Sequence, residues 1–322
     1  MLRTGILKAA AALALIAAAG PVHAQAYPSR AIRFIVPYAA GGGADITCRI
    51  IAQKLQENLG QPVIVDNRPG GSEIIGTEAI AKAAPDGHTM GFMSNTLAIN
   101  VTMQPKLPYD TERDILPVTR LIKVALVMVV PPSLPVNSVK ELVALAKAQP
   151  GKLNYASFGA GGPHGLAMEW FKSVTGTNIV AVPYKGVAPG MAALAAGEVQ
   201  VMLTGLTGGL AQMKAGKIKA IAVTPAEGLA AAPDIPPIAR DYPEYDVMTW
   251  YGVAVPGGTP ANIVARVHEE ITRVLNAPDV RRRLEDIGVD PAPMPQEAFI
   301  AMVRAETQLW ARIIKSSGAK SN

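Results

Sequence analysis

Short apolar runs of strand length recur along most of this chain, separated by stretches whose apolar residues fall three and four positions apart. The strand-like runs are AIRFIVPY, PVIVDN, HTMGFMS, VALVMVVP, KLNYASF, IVAVPY, VQVMLTG, IKAIAVT and WYGVAVP. The helix-like stretches between them are ITCRIIAQKLQENLG, SVKELVALAKAQPGK, GLAMEWFKSVTG, GMAALAAGE and GLAQMKAGK, and most close on a glycine, as a C-cap does. Two long amphipathic stretches follow, PANIVARVHEEITRVLNA and PQEAFIAMVRAETQLWARIIKSSG. Strands alternating this regularly with helices predict an α/β protein with largely parallel sheets.

At 322 residues the chain exceeds what one hydrophobic core usually serves, so two lobes are expected. The Pro-rich pieces PPSLPVNS and APDIPPIARDYPEYD are loops within the alternating pattern, with no low-complexity linker between the lobes. The chain is therefore expected to cross between lobes more than once, near residues 124–130 and 247–253. At the N-terminus, Arg3 and Lys8 precede the apolar block AAAALALIAAAG and then PVHAQA. This predicts a signal peptide over residues 1–24, cleaved after Ala24 or Ala26, and a periplasmic product. Its removal lowers the net charge from +5 to +3, and RRR at residues 281–283 is the sole polybasic run, so nucleic-acid binding gains no support. Cys48 is the one cysteine, which excludes an intrachain disulfide or a cysteine-based zinc framework and leaves a buried spectator thiol.

Three glycine turns stand where chemistry is expected: VPYAAGGGADIT, VDNRPGGSEIIG and YASFGAGGPHGLAMEW. A strand entering a helix through glycines leaves the first helical N–H groups unpaired and aimed outward, with the positive end of the helix dipole behind them. The spacing fits neither a P-loop nor a dinucleotide fingerprint. A small anion such as a carboxylate remains. There is no GxSxG elbow, and His268 lacks an HExxH partner. His88 lies in a Pro-Asp-Gly turn and reads as solvated. His164, inside a glycine turn, either donates to a bound anion, caps its own helix or packs beneath its loop. Asp45 reads as a residue that fixes its loop by accepting N–H groups. Ser157 or Ser94 with His164 is the sole conceivable pair for a secreted hydrolase or lyase.

The segments YPSRAIRFIVPYAAGGGADI, VDNRPGG, AKAAPDGHT, LPYD, PVTRL, SVKELVALAKAQPGKLNYAS, VPYKG, LAAGEVQVM, MKAGKIKAIAV, MTWYGVAVPGGTP and AETQLWARIIKSSG occur in this order. Together they resemble the Bug-type (TctC-like) periplasmic substrate-binding proteins of tripartite tricarboxylate transporters, from Tyr27 almost to the C-terminus. The resemblance implies a type II periplasmic-binding-protein-like fold: two α/β lobes, residues 27–125 with 250–322 and residues 126–249, joined by a two-strand hinge with the ligand cleft between them. It implies a monomer without cofactor, metal or catalysis, which captures a small carboxylate and delivers it to membrane permease subunits. A sensory partner in place of the permease is the alternative. Carried over by position, the ligand-facing residues are Tyr38, Ala39, Gly41, Gly42, Asp45, Ser94, Asn95, Ser157, Gly159, Gly161, Gly162, His164, Tyr184 and Thr204. The chain departs from the family pattern at Ser72, Glu73 and Ile74, which puts that loop's part in binding in doubt, and at Ala181 and Thr204. Thr204 stands where many relatives have Asp, which motivates a ligand without an ammonium group: a dicarboxylate or an aromatic acid.

Overall fold

Ile32, Phe34 and Val36 of β1 (Ile32–Val36) enter one apolar cluster and Ile35 enters another, so this strand is buried on both faces. The computed structural model describes residues 27–158, 162–184, 186–229, 232–287 and 289–317. After β1 the chain forms α1 (Gly43–Leu59), β2 (Val63–Asn67), α2 (Ile74–Ala81), β3 (Thr89–Ser94), α3 (Asn95–Met103), α4 (Thr111–Asp114) and β4 (Ile115–Val124). Next come β5 (Leu126–Val130), α5 (Val139–Ala148), β6 (Asn154–Ser157), α6 (Pro163–Thr175), β7 (Val180–Pro183), α7 (Val187–Ala196), β8 (Met202–Gly205), α8 (Leu206–Lys214) and β9 (Lys219–Val223). Then follow β10 (Thr249–Pro256), α9 (Ala261–Asn276), α10 (Pro278–Asp286), β11 (Asp290–Pro291) and α11 (Gln296–Ser317).

The first lobe is built on a six-stranded sheet in the order β11-β4-β10-β3-β1-β2. The second lobe is built on β8-β5-β9, extended by the parallel pair β6-β7, which joins β8 through the Tyr155–Val201 bridge. Strands β2, β1 and β3 are parallel, whereas β10, β4 and β11 run antiparallel, as do β8 and β9 against β5. The sheets are thus mixed rather than largely parallel. The cause is the crossing: β4 carries the chain out and β10 brings it back, and β10 lies between β3 and β4, antiparallel to both. The chain leaves through Ala125, between β4 and β5, and returns at Thr249, which pairs with Val124 and donates its hydroxyl to the Val124 carbonyl at 2.5 Å. Two adjacent strands therefore make the connection.

Strand β5 shows why LVMVV is apolar throughout. Leu126, Met128 and Val130 face a cluster with α5 and α6, while Val127 and Val129 face another with α7. Glycines set the ends of the helices that matter for the cleft. Helix α1 runs from an extended Gly42 to Gly60 at φ 65, and α6 runs from Gly162, with Pro163 in its first turn, to Gly176 at φ 63. Cys48 lies on the inner face of α1, fully buried, and burial pushes its thiol well above the usual range.

One apolar cluster belongs to both lobes. Ala98, Ile99 and Met103 of α3 and Trp310, Ile313 and Ile314 of α11 pack with Leu126, Met128 and Phe171 of the second lobe. Phe299 and Val303, earlier in α11, pack in the first lobe against Ile35 and Trp250. Helix α11 therefore starts in one core and ends in the other.

Candidate functional site

A cavity of about 560 Å³ lies between the lobes. From the first lobe it is lined by Pro37, Tyr38 and Ala39 after β1, by the 69–73 turn, by Ser94, Asn95 and Thr96 at the start of α3, and by Tyr251 of β10. The second lobe contributes Phe158 and residues 162–165, the start of α6. Two helix N-termini thus face one space from opposite lobes. In the first turn of α6, Pro163 has no N–H, and those of His164 and Gly165 have no intrahelical partner. Among the described residues that line the cavity there is no lysine or arginine.

The loop after β1 is held from beneath. Asp45, 2% exposed, accepts the Gly41 N–H at 2.8 Å and the Arg49 guanidinium at 2.9 Å on one oxygen, and the Asn67 amide at 2.9 Å on the other. Asn67 also donates to the Tyr38 carbonyl at 3.0 Å. Burial pushes the Asp45 carboxyl up, but Arg49, Gly41 and Asn67 outweigh it and hold the group below its usual range. Asp45 shapes the loop and does not line the cavity. Gly41 (φ 84) and Gly42 follow Ala39 in the same loop, exposed, with open space where a Cβ would stand at Gly41.

Asn95 lines the cavity with its amide already engaged. Its Nδ2 donates to the Met248 carbonyl at 3.2 Å and to Glu306 at 2.7 Å, and its Oδ1 accepts the Trp250 N–H at 3.0 Å. Glu306, on α11, also accepts the indole N–H groups of Trp250 at 2.8 Å and Trp310 at 3.3 Å. Despite these donors, burial pushes its carboxyl up to about 7.

The wall opposite α6 centres on Glu73, a residue the sequence reading left in doubt. Glu73 is 4% exposed, and its Oε1 accepts the hydroxyls of Ser94, at 2.6 Å, and of Tyr38. Tyr38 stacks edge-on against Phe92, which tilts against Tyr251, so the wall is aromatic behind its polar face. Burial raises the Glu73 carboxyl above its usual range, with Ser94, Tyr38 and Thr96 pulling the other way.

Of the positions read from the sequence, Tyr38, Ala39, Ser94, Asn95, Gly162 and His164 come together around the cavity. Ser157, at the end of β6, is buried and gives its carbonyl to the Tyr184 N–H at 2.8 Å; Tyr184 is partly buried beside the second-lobe core, and Thr204 is buried on β8. These three do not line it. Gly159 and Gly161 lie outside the described residues, as do residues 1–26 and their cleavage positions. The lining residues Glu73, Thr96, Phe158 and Tyr251 were not among the expected positions. The one signal in the sequence was the unusual acid after the glycines of VDNRPGG.

His164 packs edge-on against Phe158, ring centroids 5.8 Å apart. Among the described residues neither Ser94 nor Ser157 hydrogen-bonds to it; the Ser94 hydroxyl is directed to Glu73. Burial holds its imidazole down to about 4, so it faces the cavity uncharged. As pH falls from 6.5 toward 4, the unfolded chain takes up a proton that the folded protein refuses, and stability is lost in that window. Between about pH 7 and about pH 4, the wild type is expected to lose about 1–3 kcal/mol relative to His164→Gln in urea denaturation. Parallel pH profiles for the two proteins would contradict an uncharged, desolvated ring.

Comparison with known proteins agrees with this architecture. The profile of the tripartite tricarboxylate transporter family receptor matches residues 47–319. A UPF0065 protein of a Pseudomonas species is 35% identical over 309 residues, covering 94% of this chain and 92% of the relative. Protein BugT of Bordetella pertussis is 33% identical over 305 residues, 94% of each chain. Among solved structures, R. palustris Rpa4515 with adipate is 32% identical with a TM-score of 0.79, covering 92% of this chain and 100% of that one. MatC of Rhodopseudomonas palustris with bound malate is 28% identical with a TM-score of 0.74, covering 89% and 100%. By sequence and by fold, this chain belongs to the family of tripartite tricarboxylate transporter receptors.

Proposed function

We propose that the protein is an exported solute receptor that captures a small carboxylate by closing its two lobes, residues 27–125 with 250–322 and residues 126–249, and delivers it to the membrane subunits of a tripartite transporter. The observation that carries this reading is the pair of helix N-termini, of α3 and α6, facing one cavity from opposite lobes. Main-chain N–H groups there hold a carboxylate without a fixed cation, and closure lets the second lobe complete the shell begun by the first. In the closed form Gly41, Gly42 and Ser157 join the lining. Differential affinity for that form is the driving force, and the closed surface is what the membrane partner reads. The adipate and malate of the two R. palustris structures define the chemical class with which to begin.

A thermal-shift screen of carboxylates on the protein starting at Gln25 tests this. A bound solute at about a hundred times its Kd adds about 2.7 kcal/mol to stability, a shift of several degrees. Absence of any shift across mono-, di- and tricarboxylates, aromatic acids and amino acids would overturn the receptor reading.

A further inference from the structure

Two acids brace the end of α3 that faces the cavity. Ser94, the N-cap, donates its hydroxyl to Glu73 at 2.6 Å, and Asn95, the first helical residue, donates its amide to Glu306 at 2.7 Å. Ser94 and Asn95 both line the cavity, so each acid stands one side chain away from the proposed anion position. Glu73 is held by the hydroxyls of Ser94, Tyr38 and Thr96, and Glu306 by the Asn95 amide and the indoles of Trp250 and Trp310. All of these donors are neutral. The turn that delivers Glu73 is strained as well, with Ser72 and Glu73 at φ 51 and 72 and the Ser72 carbonyl held by Asn100 of α3 at 2.8 Å.

A helix N-terminus favours a negative charge beside it, and on the receptor reading above that charge belongs to the solute. An ionised acid behind the wall repels a solute in front of it, and a bound solute disfavours ionisation of the acid to the same degree. Burial already raises both carboxyls, that of Glu306 to about 7. The other groups facing them leave this balance in place. Arg120 of β4 pulls Glu306 down from a distance, but its guanidinium donates to the Ala292 carbonyl at 2.9 Å. Tyr38, Tyr109 and Tyr251, which face Glu73, stay protonated at neutral pH, and His164 of α6 stays uncharged. We infer that seating the solute carboxylate at the start of α3 draws a proton from solvent onto the Glu73–Glu306 pair, so that solute and proton are captured together. The proton leaves again when the solute does.

Calorimetry in buffers of different ionisation enthalpy counts the protons taken up. The probe is the tightest-binding carboxylate of the thermal-shift screen, beginning with adipate and malate, whose carboxyls are ionised at about pH 7.5. About half a proton per solute is expected at that pH, with affinity falling about fivefold between about pH 6.5 and about pH 8.5. The double variant Glu73→Gln, Glu306→Gln is expected to take up less than about a tenth of a proton and to lose most of the pH dependence. Should it fail to fold, NMR of isotope-labelled glutamate carboxyls in the wild type decides. Exposed glutamates are ionised at about pH 7.5, so a protonated carboxyl signal that grows on adding solute reports a raised acid such as these. Binding without proton uptake, uptake retained by the folded double variant, or no growth of that signal overturns the coupling and leaves the receptor reading standing. Failure of every solute in the screen to bind instead overturns the receptor reading, and this inference with it.

Discussion

Replacing Gly162 with tryptophan is expected to abolish solute binding, lowering affinity by about a hundredfold or more, without unfolding the protein. Gly162 has φ −87 and ψ 158, extended backbone that any residue adopts, so the new side chain meets no conformational penalty there. It is also the N-cap of α6, which uses no side-chain hydrogen bond, so only about a kcal/mol of capping preference is at stake. What changes is the cavity. An indole from this edge occupies space in front of the His164 and Gly165 N–H groups and obstructs approach of the Ser94 and Asn95 wall. Calorimetry on the solute found in the thermal-shift screen, with urea denaturation of the same sample, separates the two effects. Near-native affinity would mean that the start of α6 is not part of the binding surface.

The second large effect is on stability. Trp310→Ala is expected to lower the unfolding free energy by about 3–5 kcal/mol. Trp310 is 1% exposed in the cluster that joins α3, α11 and the second lobe, so truncation leaves a void where both lobes meet. It also removes a donor to Glu306, whose carboxyl is already disfavoured by burial and would then rely on Trp250 and Asn95. A loss below about 1 kcal/mol in denaturant titration would show that the end of α11 detaches at little cost.

What the sequence revealed and what it concealed divide along the range of the interactions concerned. The apolar run of β5 and the glycine ends of α1 and α6 are written locally, in runs and caps, and were legible. Strand β4 was not, because ILPVTRLIKV carries a proline and two cations that spoil the alternation; Arg120 hides its charge by donating to the Ala292 carbonyl at 2.9 Å, 172 positions away. Nor was α3, whose NTLAINVTM is short, with apolar residues that serve two lobes at once. At the site, the glycine turns and His164 stood out by composition. The part played by Glu73 did not, since its backbone conformation depends on Asn100 and its carboxylate on Ser94 and Tyr38. Asn95 lines the cavity, and the engagement of its amide by Glu306, 211 positions on, is tertiary information.

The position of Cys48 has a practical consequence. As the sole cysteine, sealed on the inner face of α1 with a thiol reluctant to ionise, it is shielded from maleimides that attack exposed thiolates. A single new cysteine on the exposed loop at Ala39 could then carry an environment-sensitive dye with no competing attachment point. The native protein is in this respect already a chassis for a fluorescent solute sensor.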